Sequence, residues 1–227
     1  TVTFDAASGT HTIDADGTGT DTFYDITFND SAGSAEWDLT GALDVANDLA
    51  IVGGTLDNSA TSYSINIGGG WDNDDTYTRG TETTTFDGTS GTHNIDADGT
   101  GDDDFYHVVI NDSAGSAHWD LTTQPMQIDG NLTITDGELD LNNYDSAVTG
   151  SISKTGGALV LDQSSSQVVV NGNVTITGSD AGAYTQTDGV FNVGGNFSVS
   201  NDDSYKCETS GSWAMLSMIG SGTTTFS

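Results

Sequence analysis

Residues 1–40, TVTFDAASGTHTIDADGTGTDTFYDITFNDSAGSAEWDLT, recur at 83–122 as TTTFDGTSGTHNIDADGTGDDDFYHVVINDSAGSAHWDLT, with 29 of the 40 positions identical at a constant offset of 82. A repeat of this kind sets the architecture before any single motif is read. Thr223-Thr224-Thr225-Phe226-Ser227 begins the same phrase a third time. The sequence therefore reads as a slice of a longer array, or as a protomer whose end meets the start of the next.

A finer period lies inside the large one. Ile128-Asp129-Gly130-Asn131-Leu132-Thr133-Ile134, Val170-Asn171-Gly172-Asn173-Val174-Thr175-Ile176 and Val193-Gly194-Gly195-Asn196-Phe197-Ser198-Val199 share one pattern: apolar, x, Gly, Asn, apolar, hydroxyl, apolar. Eroded versions begin at Val45 and Ile67. The spacings are 22 (Val45 to Ile67), 23 (Val170 to Val193) and 42 (Ile128 to Val170, nearly two steps). A period near 22 is one coil of a parallel β-solenoid. Gly and Asn are expected at corners that turn left-handed. At ~4.8 Å per paired strand, nine or ten coils make a rod roughly 45 Å long. Three blocks follow: 1–82, 83–165, and the divergent but continuous coils 166–227. The rival reading is a tandem of β-sandwich domains of 82 residues. In the first copy the strand signals are Val2 to Phe4, Phe23 to Phe28, Glu36 to Leu39 and Leu43 to Ile51, with 5–19 read as a polar loop.

Composition agrees with an all-β chain. Apolar residues, 34% of the total, fall in alternating runs between Gly, Asp, Asn, Ser and Thr, and proline occurs once, at Pro125. Thirty-four acidic side chains against Arg79, Lys154 and Lys206 leave a formal charge of −31. Such a field repels nucleic acid and anionic lipid, and predicts high salt, divalent cations or both around the native protein. Cys207 is the single cysteine, which excludes an internal disulfide. No apolar run of 18 residues predicts membrane insertion, and the lack of a leader or initiating Met marks a mature or excised segment.

The phrases GNLTIT…GELDLNN, VNGNVTITG and GVFNVGGNFSVSN resemble the repeats of large microbial surface β-helix proteins, the filamentous-haemagglutinin and autotransporter-passenger type of adhesin and fibre protein. The resemblance covers most of the chain through its rung patterns. It implies export, display outside the cell or on its surface, and adhesive or structural work without catalysis. Copies of the chain itself, stacked head to tail through the edges at Val2, Phe4, Thr225 and Phe226, are the expected partner, with surface glycans as a further one. A fragment of a giant carbohydrate- or substratum-binding adhesin is the alternative, and a glycan-cleaving β-helix enzyme or phage tail-spike a more distant one.

The duplicated loops Asp14-Ala15-Asp16-Gly17-Thr18-Gly19-Thr20-Asp21 and Asp96-Ala97-Asp98-Gly99-Thr100-Gly101-Asp102-Asp103 supply carboxylates on a sharply turning backbone, as Ca2+ requires. Asp14, Asp16, Asp21, Asp96, Asp98 and Asp103 are the candidate ligands, and solvated acidic turns are the alternative. The spacing begins like an EF-hand loop but reaches Asp25 or His107 at its twelfth position, and its flanks read as strands. Sequons at Asn29, Asn111, Asn131, Asn173 and Asn196 are candidate glycan acceptors. His11, His93, His107 and His118 read as surface or turn residues, and Trp37, Trp71, Trp119 and Trp213 as core. A lyase acting on acidic glycans needs cationic groups to hold its substrate, and three scattered cations on a −31 background supply that poorly. An inverting hydrolase needs only two carboxylates, but no pair stands out. Thr-x-Thr stretches such as 83–85 suit an exposed strand face.

Overall fold

The computed structural model describes every residue except 16–21, 97–104, 162–165, 178–183, 187–189, 201–205, 208–214, 219, 221 and 227, and the side chains of 184–186, 206–207, 215–218 and 226 are also left aside. Every pairing between strands is parallel, no helix occurs among the described residues, and paired residues lie 19 (Glu36↔Thr55) to 27 (Phe197↔Thr224) apart in sequence. The chain is a β-solenoid. Parallel pairing at that interval excludes tandem sandwiches, which are built from antiparallel sheets.

The coil is three-sided. Side 1 is a ten-stranded sheet running from Val2–Phe4 to Lys206–Cys207, and side 3 a nine-stranded sheet from Leu43–Val45 to Thr224–Phe226. Side 2 carries a four-stranded sheet, Gly9–Ile13 to Thr76–Thr78, and then a five-stranded one, Gln127–Ile128 to Met215–Met218. The chain visits the sides in the order 1, 2, 3. Where a strand is missing from that order, a single residue keeps the place: Phe23 bridges to Val45 on side 3, and Phe105 to Ile128 on side 2.

This winding explains the large repeat. The strand Val2–Phe4 lies on side 1, while its duplicate Thr83–Phe86 lies on side 3, three full coils and two sides later. Eighty-two residues over 3⅔ coils is about 22 per coil, the fine period. The two copies therefore have the same local structure but are turned by one side about the rod axis.

Side chains alternate inward and outward along each strand, as the pleat demands. Inward residues form one cluster from Ile13 to Val199 that includes Phe28, Trp37, Trp71, Trp119, Phe191 and Phe197. Aromatic rings tie coils together, Phe4 to Phe28 at 5.4 Å, Trp71 to Phe105 at 5.2 Å and Phe86 to Trp119 at 6.0 Å, and Phe28 meets Trp37 of its own coil at 5.3 Å. Lys154 is also inward, on side 3 between Ile134 and Ile176 in the adjoining coils, and is 2% exposed.

Three sequence expectations need correction. Residues 9–13 are a strand, pairing residue for residue with 35–39. The run 43–51 breaks into Leu43–Val45 and Leu49–Gly53, because Asn47 and Asp48 form a corner. Finally, Gly130, Asn131, Gly172, Asn173, Gly195 and Asn196 have no positive φ; left-handed backbone occurs elsewhere, for instance at Gly33 (φ 66°), Gly115 (φ 69°) and Asn142 (φ 49°).

The corner between sides 2 and 3 uses Gly and Asn for contact between coils. The backbone N–H groups of Gly150, Gly172 and Gly195 donate to Gly130, Gly150 and Gly172 O at 2.8, 2.8 and 2.9 Å. A Cβ at 172 would stand 2.4 Å from Gly150 O. One residue on, side-chain acceptors form a second ladder: His107 Nδ1 takes the N–H of Asn131, Asn131 Oδ1 that of Ser151, Ser151 Oγ that of Asn173, and Asn196 Oδ1 that of Thr223, at 2.8 to 3.0 Å.

Candidate functional site

Of the candidate calcium ligands, Asp16, Asp21, Asp98 and Asp103 lie outside the described residues. Asp14 is exposed just beyond the strand Gly9–Ile13, and Asp96, half-buried, ends the strand Gly91–Asp96 and accepts a hydrogen bond from Thr123 Oγ1. Because the copies are turned by one side, the first loop joins sides 2 and 3 and the second joins sides 1 and 2.

The structure brings together carboxylates that the repeat pattern did not single out. Oxygens of Glu36, Asp38 and Asp57 lie within 4.8 Å of one another on the outer face of side 2, where Asp38 and Asp57 are cross-strand neighbours. Burial and the adjacent Asp38 raise the Glu36 carboxyl above its ordinary 4.5. In the second copy His118 replaces Glu36, and its Nδ1 is 2.8 Å from Glu138 Oε1. There burial and Glu138 raise Asp120 above 3.8, while His118 pulls it down.

Asp30 and Asp112 do a different job. Each is buried (3% and 0% exposed) under its Asp-Ser-Ala-Gly-Ser-Ala turn. Asp30 Oδ1 accepts the N–H of Ala32 at 2.8 Å and Oδ2 that of Ala35 at 2.6 Å and of Ser34; Asp112 repeats the set with Ala114, Ala117 and Ser116. Burial opposes the charge, but the backbone donors outweigh it and hold both carboxyls below 3.8. These aspartates are structural.

A groove of about 690 Å³ runs along side 1, lined among others by Asp25, Asp48, Asp72, His93 and Asp96. It exists because Gly91–Asp96 pairs with the preceding strand only through Ile95 and Asp96, so that 91–94 overhang the coil before. Asn47 Nδ2 donates to both Asp25 Oδ1 (2.7 Å) and Asp48 Oδ2 (3.0 Å), fixing the two carboxylates at its rim. The hydrogen bonds of Asn47 and Thr1 hold Asp25 below 3.8.

All five sequon asparagines are exposed. Asn131, Asn173 and Asn196 spend their Oδ1 atoms on the corner ladder, and Asn111 Oδ1 accepts from Thr135 Oγ1 at 2.8 Å. The sequon spelling at the three ladder positions thus follows from a corner Asn and an outward hydroxyl two residues on. Trp37, Trp71 and Trp119 are buried, and Trp213 lies outside the described residues. His11 and His93 contact Ser8 O and Ser90 O of their own turns at 3.1 and 3.0 Å. His107 is a ladder rung and His118 an acid partner, so neither is an idle surface position. Arg79 pairs with Asp129 and lies over Tyr106, 5.8 Å from the ring centroid.

The assembly edges separate. Val2 and Phe4 belong to the first strand of side 1, Thr225 and Phe226 to the last strand of side 3. Direct pairing of one with the other would turn the second copy by one side. In unbroken winding, the strand that continues side 1 lies on Lys206–Cys207.

Compared with known proteins, the chain matches no family model, no curated protein and no solved structure.

Proposed function

We propose that the chain is a non-catalytic, extracellular structural β-solenoid, rod material for a surface fibre or adhesin. The observation that carries this reading is the continuity of the stack: one core from Ile13 to Val199, with hydrogen-bonded ladders along the corner of sides 2 and 3. Such a rod resists bending and pulling because every coil is bonded to its neighbours along the axis. Placement outside the cell rests on the resemblance to surface β-helix proteins and on the acidic composition. In addition, no helix among the described residues is long and apolar enough to cross a membrane.

A bare solenoid end is a sheet edge that another strand can extend. In this proposal a second copy, or the continuing chain of a longer protein, takes up side 1 at the Lys206–Cys207 edge. A heterologous contact of that kind propagates into a filament. Calcium belongs to the proposal at the duplicated loops, 14–21 and 96–103, where it would neutralise part of the −31 charge.

Electron microscopy of the purified chain in millimolar calcium tests assembly. Filaments with an axial repeat near the roughly 45 Å expected of ten stacked strands support it. Single short rods at all protein concentrations overturn self-assembly by this chain. Calorimetry that detects no calcium binding, with melting indifferent to chelator, removes the metal from the proposal.

A further inference from the structure

From the strand Leu132–Ile134 onward, the outer face of side 3 is a continuous grid of hydroxyl and amide side chains. Residues 131–135, 151–155, 173–177, 196–200 and 223–225 each place Asn, Ser or Thr at every outward position. Side chains of one row meet those of the next in register: Thr133, Ser153, Thr175, Ser198 and Thr225 are successive Cα partners in five adjoining strands, with no shift between them. The flanking columns are Asn131, Ser151, Asn173, Asn196 and Thr223 on one side, and Thr135, Thr155, Thr177 and Ser200 on the other. No ionisable group stands in these three columns, in a chain of formal charge −31. Earlier on the same side the middle column runs Asp44, Asn66, Thr85 and Val109, so the unbroken row of hydroxyls is a property of the last five coils.

The middle column is also chemically idle. Asn131, Asn173 and Asn196 are engaged in the corner ladder and Thr135 bonds to Asn111, but the hydroxyls of Thr133, Ser153, Thr175, Ser198 and Thr225 form no hydrogen bond among the described residues. The result is a row of free hydroxyls, one per ~4.8 Å along the axis, with neighbouring columns ~6.6 Å to either side. Each hydroxyl both donates and accepts.

We propose that this face binds a neutral, extended polysaccharide lying along the rod axis. The inference rests on the extracellular adhesive reading and not on end-to-end assembly. A sugar polymer offers hydroxyls at a regular repeat, and a neutral one can dock here without stripping water or counter-ions from a carboxylate, the large cost of binding over the acidic strands of side 1 and of the first sheet of side 2. Acidic glycans are repelled by the chain as a whole. Single hydroxyl contacts are weak, so affinity depends on several coils being engaged at once. A second copy is a poorer occupant, since five strands by three columns cover about 475 Å² at these spacings, below the ~800 Å² per partner of a stable interface.

Co-sedimentation of the full chain with microcrystalline cellulose, insoluble xylan and insoluble β-1,3-glucan, in molar NaCl, tests the proposal. Saturable binding to at least one is expected. Thr133→Val with Thr175→Val keeps shape and strand preference but removes two hydroxyls, and should weaken binding at least tenfold at unchanged circular dichroism. Thr133→Ser with Thr175→Ser should retain it, and Asp72→Asn on side 1 should not alter it. Failure of the unaltered chain to bind all three polymers overturns the inference, as does equal binding by the Val pair. Thermal hysteresis of the solution without polysaccharide binding also overturns it, assigning the grid to ordered water. Filaments seen by microscopy would survive any of these failures.

Discussion

Asn173 Oδ1 accepts the backbone N–H of Asn196, one coil further along the rod, at 2.8 Å. The corner backbone has no strand partner for that N–H, so the side chain of the coil before supplies the acceptor. Ser151 does the same for Asn173 with a hydroxyl, and His107 for Asn131 with a ring nitrogen. The site therefore requires an acceptor, whatever its type. Asn173→Ala should cost about 1 kcal/mol, lowering Tm by ~2–4 °C for a chain of this size. Asn173→Ser should recover most of the loss. Equal melting of Asn173→Ala and the parent would mean that water replaces the rung.

The glycines separate into two kinds with different costs. At Gly33, φ is 66° and a Cβ would meet nothing within 4 Å, so Gly33→Ala carries only backbone strain, about 1 kcal/mol. At Gly172 a Cβ would collide with Gly150 O at 2.4 Å and Ser151 Oγ at 2.5 Å, atoms that are themselves ladder acceptors. Relief requires the coils to part. Gly172→Ala should cost on the order of 3 kcal/mol, and urea denaturation should rank it well below Gly33→Ala in stability.

The coil was readable because its period is written in inward and outward residues, which the pleat fixes. The three sides were not, since nothing in an 82-residue offset announces that it equals 3⅔ coils until strand pairs are known. Reading Gly-Asn as a left-handed corner misjudged the physics: a solenoid corner can be made with ordinary φ if the next coil may come close, and only glycine permits that approach. Lys154 shows the limit of composition. It counts among three cations by sequence, but the alternation Ile152-Ser153-Lys154 places it inside, and that parity was the signal available. The acidic group Glu36, Asp38 and Asp57 joins two strands 19 residues apart, a contact that exists only once the coils are in register.

Titration should show two opposed effects. Glu36 and Asp120 have raised carboxyl pKa values, so the stability they confer is present in full below their ordinary values of 4.5 and 3.8 and is lost as pH rises through the higher folded values. Asp30 and Asp112 have lowered values. Their contribution is present above 3.8 and lost as pH falls through the folded values. Acidification from neutrality should therefore first raise Tm and then, below 3.8, lower it. Glu36→Gln should raise Tm at pH 7 and flatten the first part of the curve, whereas a curve falling steadily from pH 7 would show that Asp30 and Asp112 dominate throughout.

Salt should matter more than any single substitution. Asp38 faces Asp57, Asp72 faces Asp96 and Asp120 faces Asp140 as cross-strand neighbours, each pair on adjoining coils. Like charges placed directly opposite destabilise a sheet by up to ~1 kcal/mol per pair. The screening length falls from ~10 Å at 0.1 M salt to ~3 Å at 1 M, shorter than the strand spacing. Tm should accordingly climb through the molar range of NaCl. The gain should shrink in an Asp38→Asn, Asp72→Asn, Asp120→Asn variant, which removes one charge from each pair and should melt higher than the parent at 0.1 M. If NaCl and the triple substitution both leave Tm unchanged, the carboxylates are already neutralised by bound cations. In that case the same melts repeated after exhaustive chelation should fall by several degrees, locating the neutralising charge in divalent metal.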